Sequence, residues 1–551
     1  MFYPKPPPYD ALEWAKKSFQ DRARLACQAW AVQGYGSPTG AYLVYAFKVV
    51  FYIWGWSYFC SFTPGLGEWD SIVWWWNPIA FQKAIVWSLF FEILGLGCGS
   101  GPLTGRYFPP IGGFLYFLRP GTTKLPLFEN APVIGNRNRG FIEICLYAGL
   151  LVFLVLALTH PSPGFWEWLP IVIILPLLGV LDKTVFLASR PEHYLVTIVT
   201  FAFAPNWIAG AMAVQLALWL FAGFSKLNHH FPYVVCVMAS NSPFTPFSWF
   251  RKAMYKDYPN DLNPSATAIG KARMGILLEL GTPIVLTAGV LLGNYNIIIA
   301  GLVLMVFLHS YITSNVPMGV PIEWNFMVVY AGFFLFGTNP NTIPFDVDSF
   351  PVLLFLIFTC LLLPVLGNLY PDRISFLLSM RYYAGNWACS AWLFRGNSSE
   401  KLNRLTKTSA GVYDQLDRFY DRKASVGLLS KVMAFRLMHL HGRAFQKLVP
   451  LAVTRSEDYE WMEGELIAGM VTGWNFGEGH LHNEQLLRSV QHQCAFEEGE
   501  LVCIFLESQP LGKSTQAFRI FDAKKGLIAS GTVEIGELLN LQAWPKNSSA
   551  S

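Results

Sequence analysis

The sequence predicts an α-helical integral membrane protein with about eight to ten transmembrane helices and a small α+β soluble domain at the C-terminus. Three observations predict it. Charged residues make up 14 % of the chain and hydrophobic residues 53 %, whereas soluble domains average roughly 25 % charge. Apolar runs recur at about the 20-residue length that crosses a bilayer. Tryptophans gather at the ends of such runs, as in "WDSIVWWWNP" and "PGFWEWLP", where an aromatic belt lies.

Four regions follow in order. Residues 1–40 form an N-terminal amphipathic segment. Its stripe of Leu12, Ala15, Phe19, Ala23, Ala26, Cys27 and Trp30 has helical spacing, so it either lies on the membrane surface or packs on the protein itself. It lacks the apolar core of a cleavable signal peptide. Residues 41–368 form the transmembrane domain. Up to ten spans are read, at 41–63, 79–97, 140–159, 166–181, 191–204, 206–225, 273–293, 295–313, 322–337 and 350–368. The fourth and fifth are short enough to be re-entrant. Basic residues in alternate loops (Arg106 to Arg139, Arg251 to Lys256, Arg373 to Arg404) place both termini in the cytoplasm by the positive-inside rule.

Residues 369–456 are basic and helical, a composition suited to an anionic leaflet. Residues 457–551 read as a small α+β cytoplasmic domain. "NEQLLRSVQHQC" is a helix with Asn483 as cap. "ELVCIFLES" and "QAFRIFDAKKGLIASGTVEI" are strands with a turn at Lys524–Gly526. The nine cysteines are scattered without CxxC spacing, so neither a disulfide framework nor structural zinc is expected. A net charge of +4 does not suggest nucleic acid. Rossmann, P-loop and G-x-S-x-G fingerprints are absent.

Ionisable residues inside spans are costly and mark candidate sites. Lys226, Glu279 and His309 are the principal ones, with Glu92 and Glu143 in other spans and Asp182, Lys183, Glu192 and His193 near an interface. The stretch "FAGFSKLNHHFP" sets Lys226 beside Asn228, His229 and His230, a candidate substrate-binding group, and Pro232 then breaks the helix. Each has a simpler reading. Lys226 snorkels to the headgroups, Glu279 belongs to a structural ion pair, and His309 bonds a carbonyl. Adjacent imidazoles on a helix point about 100° apart and do not chelate, so no metal is expected at His229 and His230. In the tail, Glu478, His480 and His482, with His492, read as a polar loop or as metal ligands.

Three segments carry a resemblance. "LWLFAGFSKLNHHFPYV", "LLELGTPIVL" and "FLHSYITSNVPMGVPIEWNFMVV" occur in that order. Together they resemble blocks of the vitamin K-dependent gamma-carboxylase family and its bacterial relatives, the horizontally transferred transmembrane domain proteins. The resemblance implies that Lys226 is the base deprotonating a reduced quinone, with Glu279 and His309 around it. It also implies a lipid or quinone ligand drawn from the bilayer. Asn228, His229, His230 and Phe231 stand where the family has aspartate and tryptophan, and no large lumenal domain follows. The whole chain also resembles a bacterial multi-pass transmembrane family of unknown function, which implies an inner (plasma) membrane location. The alternative function is a non-catalytic envelope protein that handles lipid or assists transport.

Overall fold

All ten apolar runs fold as helices, and among the described residues seven helices are long and apolar enough to cross a membrane. The computed structural model describes residues 2–109, 112–132, 134–314, 321–374 and 381–544. The principal helices are α1 (Phe19–Gln33), α2 (Thr39–Cys60), α3 (Pro78–Ile93), α4 (Phe141–Thr159), α5 (Phe165–Leu181), α6 (Tyr194–Phe203) and α7 (Trp207–Ser225). They continue as α8 (Phe231–Asn241), α9 (Ala266–Leu291), α10 (Tyr295–Thr313), α11 (Ile322–Gly332) and α12 (Phe350–Leu369). The spanning candidates are α2, α3, α4, α7, α9, α10 and α12.

The other three expected spans, α5, α6 and α11, are shorter than these seven. α5 has 17 residues and α6 has 10, and at 1.5 Å per residue α6 covers about 15 Å, half a hydrocarbon core. α11 with its π-helical extension, Phe333–Gly337, is also below spanning length. α6 escapes lipid because most of it is buried among its neighbours.

α3 and α7 form the centre. Buried residues make up 78 % and 83 % of their apolar windows, against about a third in the other spans. α2, α9 and α10 turn Leu43, Phe47, Leu277, Ile284, Val303 and Phe307 outward, as lipid-facing surfaces do. Close contact at the centre depends on small residues. A Cβ on Gly223 of α7 would lie 2.8 Å from the Leu280 side chain and 3.2 Å from its backbone nitrogen on α9.

Pro232 ends no helix. α7 stops at Ser225, and Pro232 sits in the first turn of α8, where its missing N–H leaves no bond unmade. Asn228 makes the turn: its Oδ1 accepts from the backbone N–H groups of His230 (2.7 Å) and Phe231 (3.1 Å).

The C-terminal part is built on an antiparallel sheet of β1 (Cys389–Arg395), β2 (Tyr459–Glu463), β3 (Leu501–Leu506), β4 (Thr515–Asp522) and β5 (Gly526–Glu534), in the order β2-β1-β3-β4-β5. β3 to β5, and the helix Glu484–Cys494 capped by Asn483, form where the pattern predicts. The sheet crosses residue 456, because β1, paired with both β2 and β3, comes from the basic segment. That segment's long helix, α13 (Arg422–Met438), is buried nearly all round and therefore does not lie on a leaflet. α1 packs on it through Trp30 and Phe435 (5.8 Å between rings). Arg22 of α1 donates to the carbonyls of Ser456 and Tyr459. α1 thus packs against the C-terminal region, and the N-terminal stripe from Phe19 to Trp30 is a protein contact.

Candidate functional site

Lys226 caps the C-terminus of α7, and Glu279 lies midway along α9. Their side chains form a direct ion pair, 7 % and 6 % exposed. Snorkelling to headgroups is therefore excluded for Lys226, whose charge turns inward. The Phe231 ring lies over its ammonium, 5.3 Å to the centroid, a cation–π contact that also shields it. Pro283 lies one turn beyond Glu279 in α9. It has no N–H to give the Glu279 carbonyl, which therefore loses its usual helical donor.

His309 of α10 is engaged on both nitrogens. Trp219 Nε1 donates to its Nε2 at 2.9 Å, and its Nδ1 donates to Asn325 Oδ1 at 2.7 Å. The imidazole is thus neutral with the proton on Nδ1. Of the three catalytic candidates, Lys226 and Glu279 meet directly, and His309 joins α7 through Trp219, about two turns before Lys226. The binding candidates do not come together: Asn228 serves the backbone turn, His229 is exposed, and His230 is fully buried. The two histidines lie in the bend between α7 and α8, which turns one outward and the other inward.

His230 faces the sheet domain. Its Nε2 meets Gln509 Oε1 at 2.9 Å, and its ring lies 6.2 Å from that of His441. Burial pushes its imidazole down to about 4. His441 accepts from Arg436 Nη1 at 3.1 Å, and Arg436 also binds Glu463 (2.6 Å) and Glu465 (3.1 Å). Burial, then the neighbouring Glu463, pushes Glu465 up to about 8.

A second cluster lies at the same end of the bundle. Arg190 Nε pairs with Glu92 at 2.9 Å, and Glu92 accepts from the Cys98 backbone N–H at 2.9 Å. Lys48 of α2 reaches Glu323 at 2.9 Å and the Gly97 carbonyl at 2.9 Å. Arg190 has a φ of 51°, a left-handed conformation that a branched side chain rarely adopts. Its guanidinium lies over Trp324 (5.1 Å) and Phe476 (6.0 Å). Glu92, Cys98 and Glu323 offer ligand atoms within 4.8 Å of one another, a spacing suited to a divalent cation. Arg190 and Lys48 already neutralise the two carboxylates, however, so an entering cation would have to displace both.

The first turn of α11 joins the two clusters through three consecutive residues. Glu323 meets Lys48, Trp324 Nε1 donates to His193 Nδ1 at 3.1 Å, and Asn325 bonds His309. None of the three stood out in the sequence, because only tertiary packing turns them inward. The available signal was a run of polar and aromatic residues, "PIEWN", opening an apolar helix.

The tail histidines part company. His480 bridges Glu478 (3.0 Å) and Glu507 (2.8 Å), whereas His482 bonds Ser390 at 2.7 Å, and His492 is exposed on its helix. The loop coils into a 3₁₀ turn, Gly479–Leu481, instead of running as a strand, so the two rings do not share a face.

A family model described as "Transmembrane protein of unknown function (DUF3556)" matches residues 1–550. The chain belongs to this family. No curated protein and no solved structure matches it. The likeness to the carboxylases accordingly rests on the three segments around Lys226, Glu279 and His309 alone.

Proposed function

We propose that this DUF3556 protein is an integral membrane enzyme that takes a lipid- or quinone-type substrate from the bilayer and moves a proton at the Lys226–Glu279 pair. The observation that carries the reading is that pair: two opposite charges, nearly sealed from water, at the end of the most enclosed span. An ammonium held by a carboxylate is a poor base, so the roles differ from those the carboxylase resemblance implies. The Glu279 carboxylate accepts the proton of a substrate hydroxyl: the substrate O–H bond breaks and a carboxyl O–H forms. The Lys226 ammonium then stabilises the oxyanion left on the substrate. His309, fixed by Trp219 and Asn325, positions the wall of the site. A reduced quinone is the substrate class that the resemblance favours, and an inner-membrane location with cytoplasmic termini accords with the distribution of basic loops.

A second reading, lipid handling without turnover, is favoured by one feature. An apolar groove of ≈ 630 Å³ runs along α10 and the π-helical turn Phe333–Gly337, lined by Tyr295, Leu302, Val306, Phe307 and Phe333. Untargeted mass spectrometry of small molecules bound to the purified protein separates the readings. The enzyme reading predicts two related species, differing by a chemical step. A single unmodified lipid on the wild type refutes it in favour of carriage.

A further inference from the structure

Gln215 is a polar residue of the central span whose side-chain amide the fold leaves unpartnered at both ends. It lies in the middle of α7 and is 1 % exposed. Neither its Oε1 nor its Nε2 has a hydrogen-bond partner among the described residues. A buried polar group left unsatisfied destabilises the fold, and leucine or methionine would fill the same volume without that cost. An amide kept at such a place has a partner that is not part of the chain.

The surroundings point to a ligand. Gln215 and Lys226 are about 20° apart around the helix and about 16 Å apart along it, by the helical repeat. Trp219, which holds His309, lies between them. Both π-helical segments, Phe333–Gly337 and Ile357–Leu362, pack against α7, and such turns recur at functional sites. Phe336 of the first segment lies 6.4 Å from Trp219, ring to ring. The apolar groove along α10 is bounded by that same segment.

We infer that Gln215 binds the neutral polar end of a lipid-soluble ligand, one that both donates and accepts a hydrogen bond through a hydroxyl and a neighbouring oxygen. Neutrality follows from the chemistry: a carboxamide offers a donor and an acceptor but no charge. The charges along the stripe, Lys226 and Glu279, satisfy each other. The groove, which Gln215 does not line but which shares the Phe333–Gly337 segment with α7, is of a size to take the apolar body. The inference goes beyond the proton chemistry proposed above and does not depend on it, since it rests on Gln215 alone.

The test compares wild type with Gln215→Leu, and with Gln215→Met should the first not fold, in lipid nanodiscs. Two probes are used, dioleoylglycerol and decylubiquinol, read by thermal unfolding and by native mass spectrometry. Without probe, the variant melts no lower than wild type, because an unsatisfied amide has been removed. One of the probes stabilises wild type and binds the variant at least tenfold more weakly, and which probe does so identifies the ligand class. The inference is overturned if the variant melts lower without probe, since the amide is then bonded within the protein. It is equally overturned if neither probe binds wild type, or if binding is the same in both proteins, since water alone then occupies the amide. Variants of Lys226 and Glu279 are not involved, so failure here leaves the proton chemistry standing.

Discussion

Replacing Lys226 with methionine leaves the Glu279 carboxylate alone in a site where it is 6 % exposed. A surface ion pair would register at about 0–1 kcal/mol. Here both partners are desolvated, and removal of one costs roughly 3–5 kcal/mol because the other charge stays behind. The reciprocal Glu279→Leu carries a similar cost. The double variant Lys226→Met, Glu279→Leu removes both charges together, and apolar replacement of a buried pair is neutral or stabilising by about 1–4 kcal/mol. The two singles therefore do not sum, and the coupling energy of the cycle is at least ~6 kcal/mol. Unfolding of the four proteins in mixed micelles with graded SDS, followed by tryptophan fluorescence, measures it. Additivity to within about 0.5 kcal/mol would refute the reasoning, for it would mean that the two charges are independently solvated.

Three other outcomes follow from the geometry. His480 stays charged to about pH 10 in the folded protein: burial opposes the charge, and Glu507 and Glu478 outweigh it. Its contribution is complete below the ordinary value of 6.5 and is lost as pH rises through about 10. At about 1.4 kcal/mol per pH unit, that interval is worth at most ~5 kcal/mol, and His480→Gln should flatten the stability–pH profile across it; an unchanged slope contradicts the bridge. Gly223→Ala pushes a methyl against Leu280, backbone included, and should cost about 1–3 kcal/mol by overpacking in the same unfolding assay. Arg190→Met strands Glu92 and should destabilise by about 3–5 kcal/mol, with Glu92→Gln in the same chain recovering most of the loss.

Lys226, Glu279 and His309 were legible in the sequence because an ionisable side chain in an apolar run is conspicuous by its cost. The pairing was not legible, since residues 226 and 279 meet only through the packing of α7 on α9. The same limit hid Glu323, Trp324 and Asn325: at a helix start, such residues look like ordinary interface polarity. The spans were legible by hydropathy, but length alone separates a crossing helix from α6 or α11, and both carry enough apolar residues to mimic one. Pro232 misled because a proline ends one helix and opens another with equal ease, and the Asn228 turn that decides between them depends on a side-chain bond. The basic segment before residue 457 misled for a different reason. Arg436 is basic by composition, yet it is neutralised in the core by Glu463 and Glu465, two residues that come nearly thirty positions later.

The central claim is that the Lys226–Glu279 pair handles the proton of a membrane-borne substrate. The most direct measurement extracts lipids from membranes of cells producing either wild type or the Lys226→Met, Glu279→Leu double variant at equal levels of folded protein, and compares the extracts by untargeted mass spectrometry. The account predicts that at least one lipid-soluble species is depleted and a related one enriched in the wild-type extract, and that neither change occurs with the double variant. Identical lipid profiles from the two proteins would contradict it.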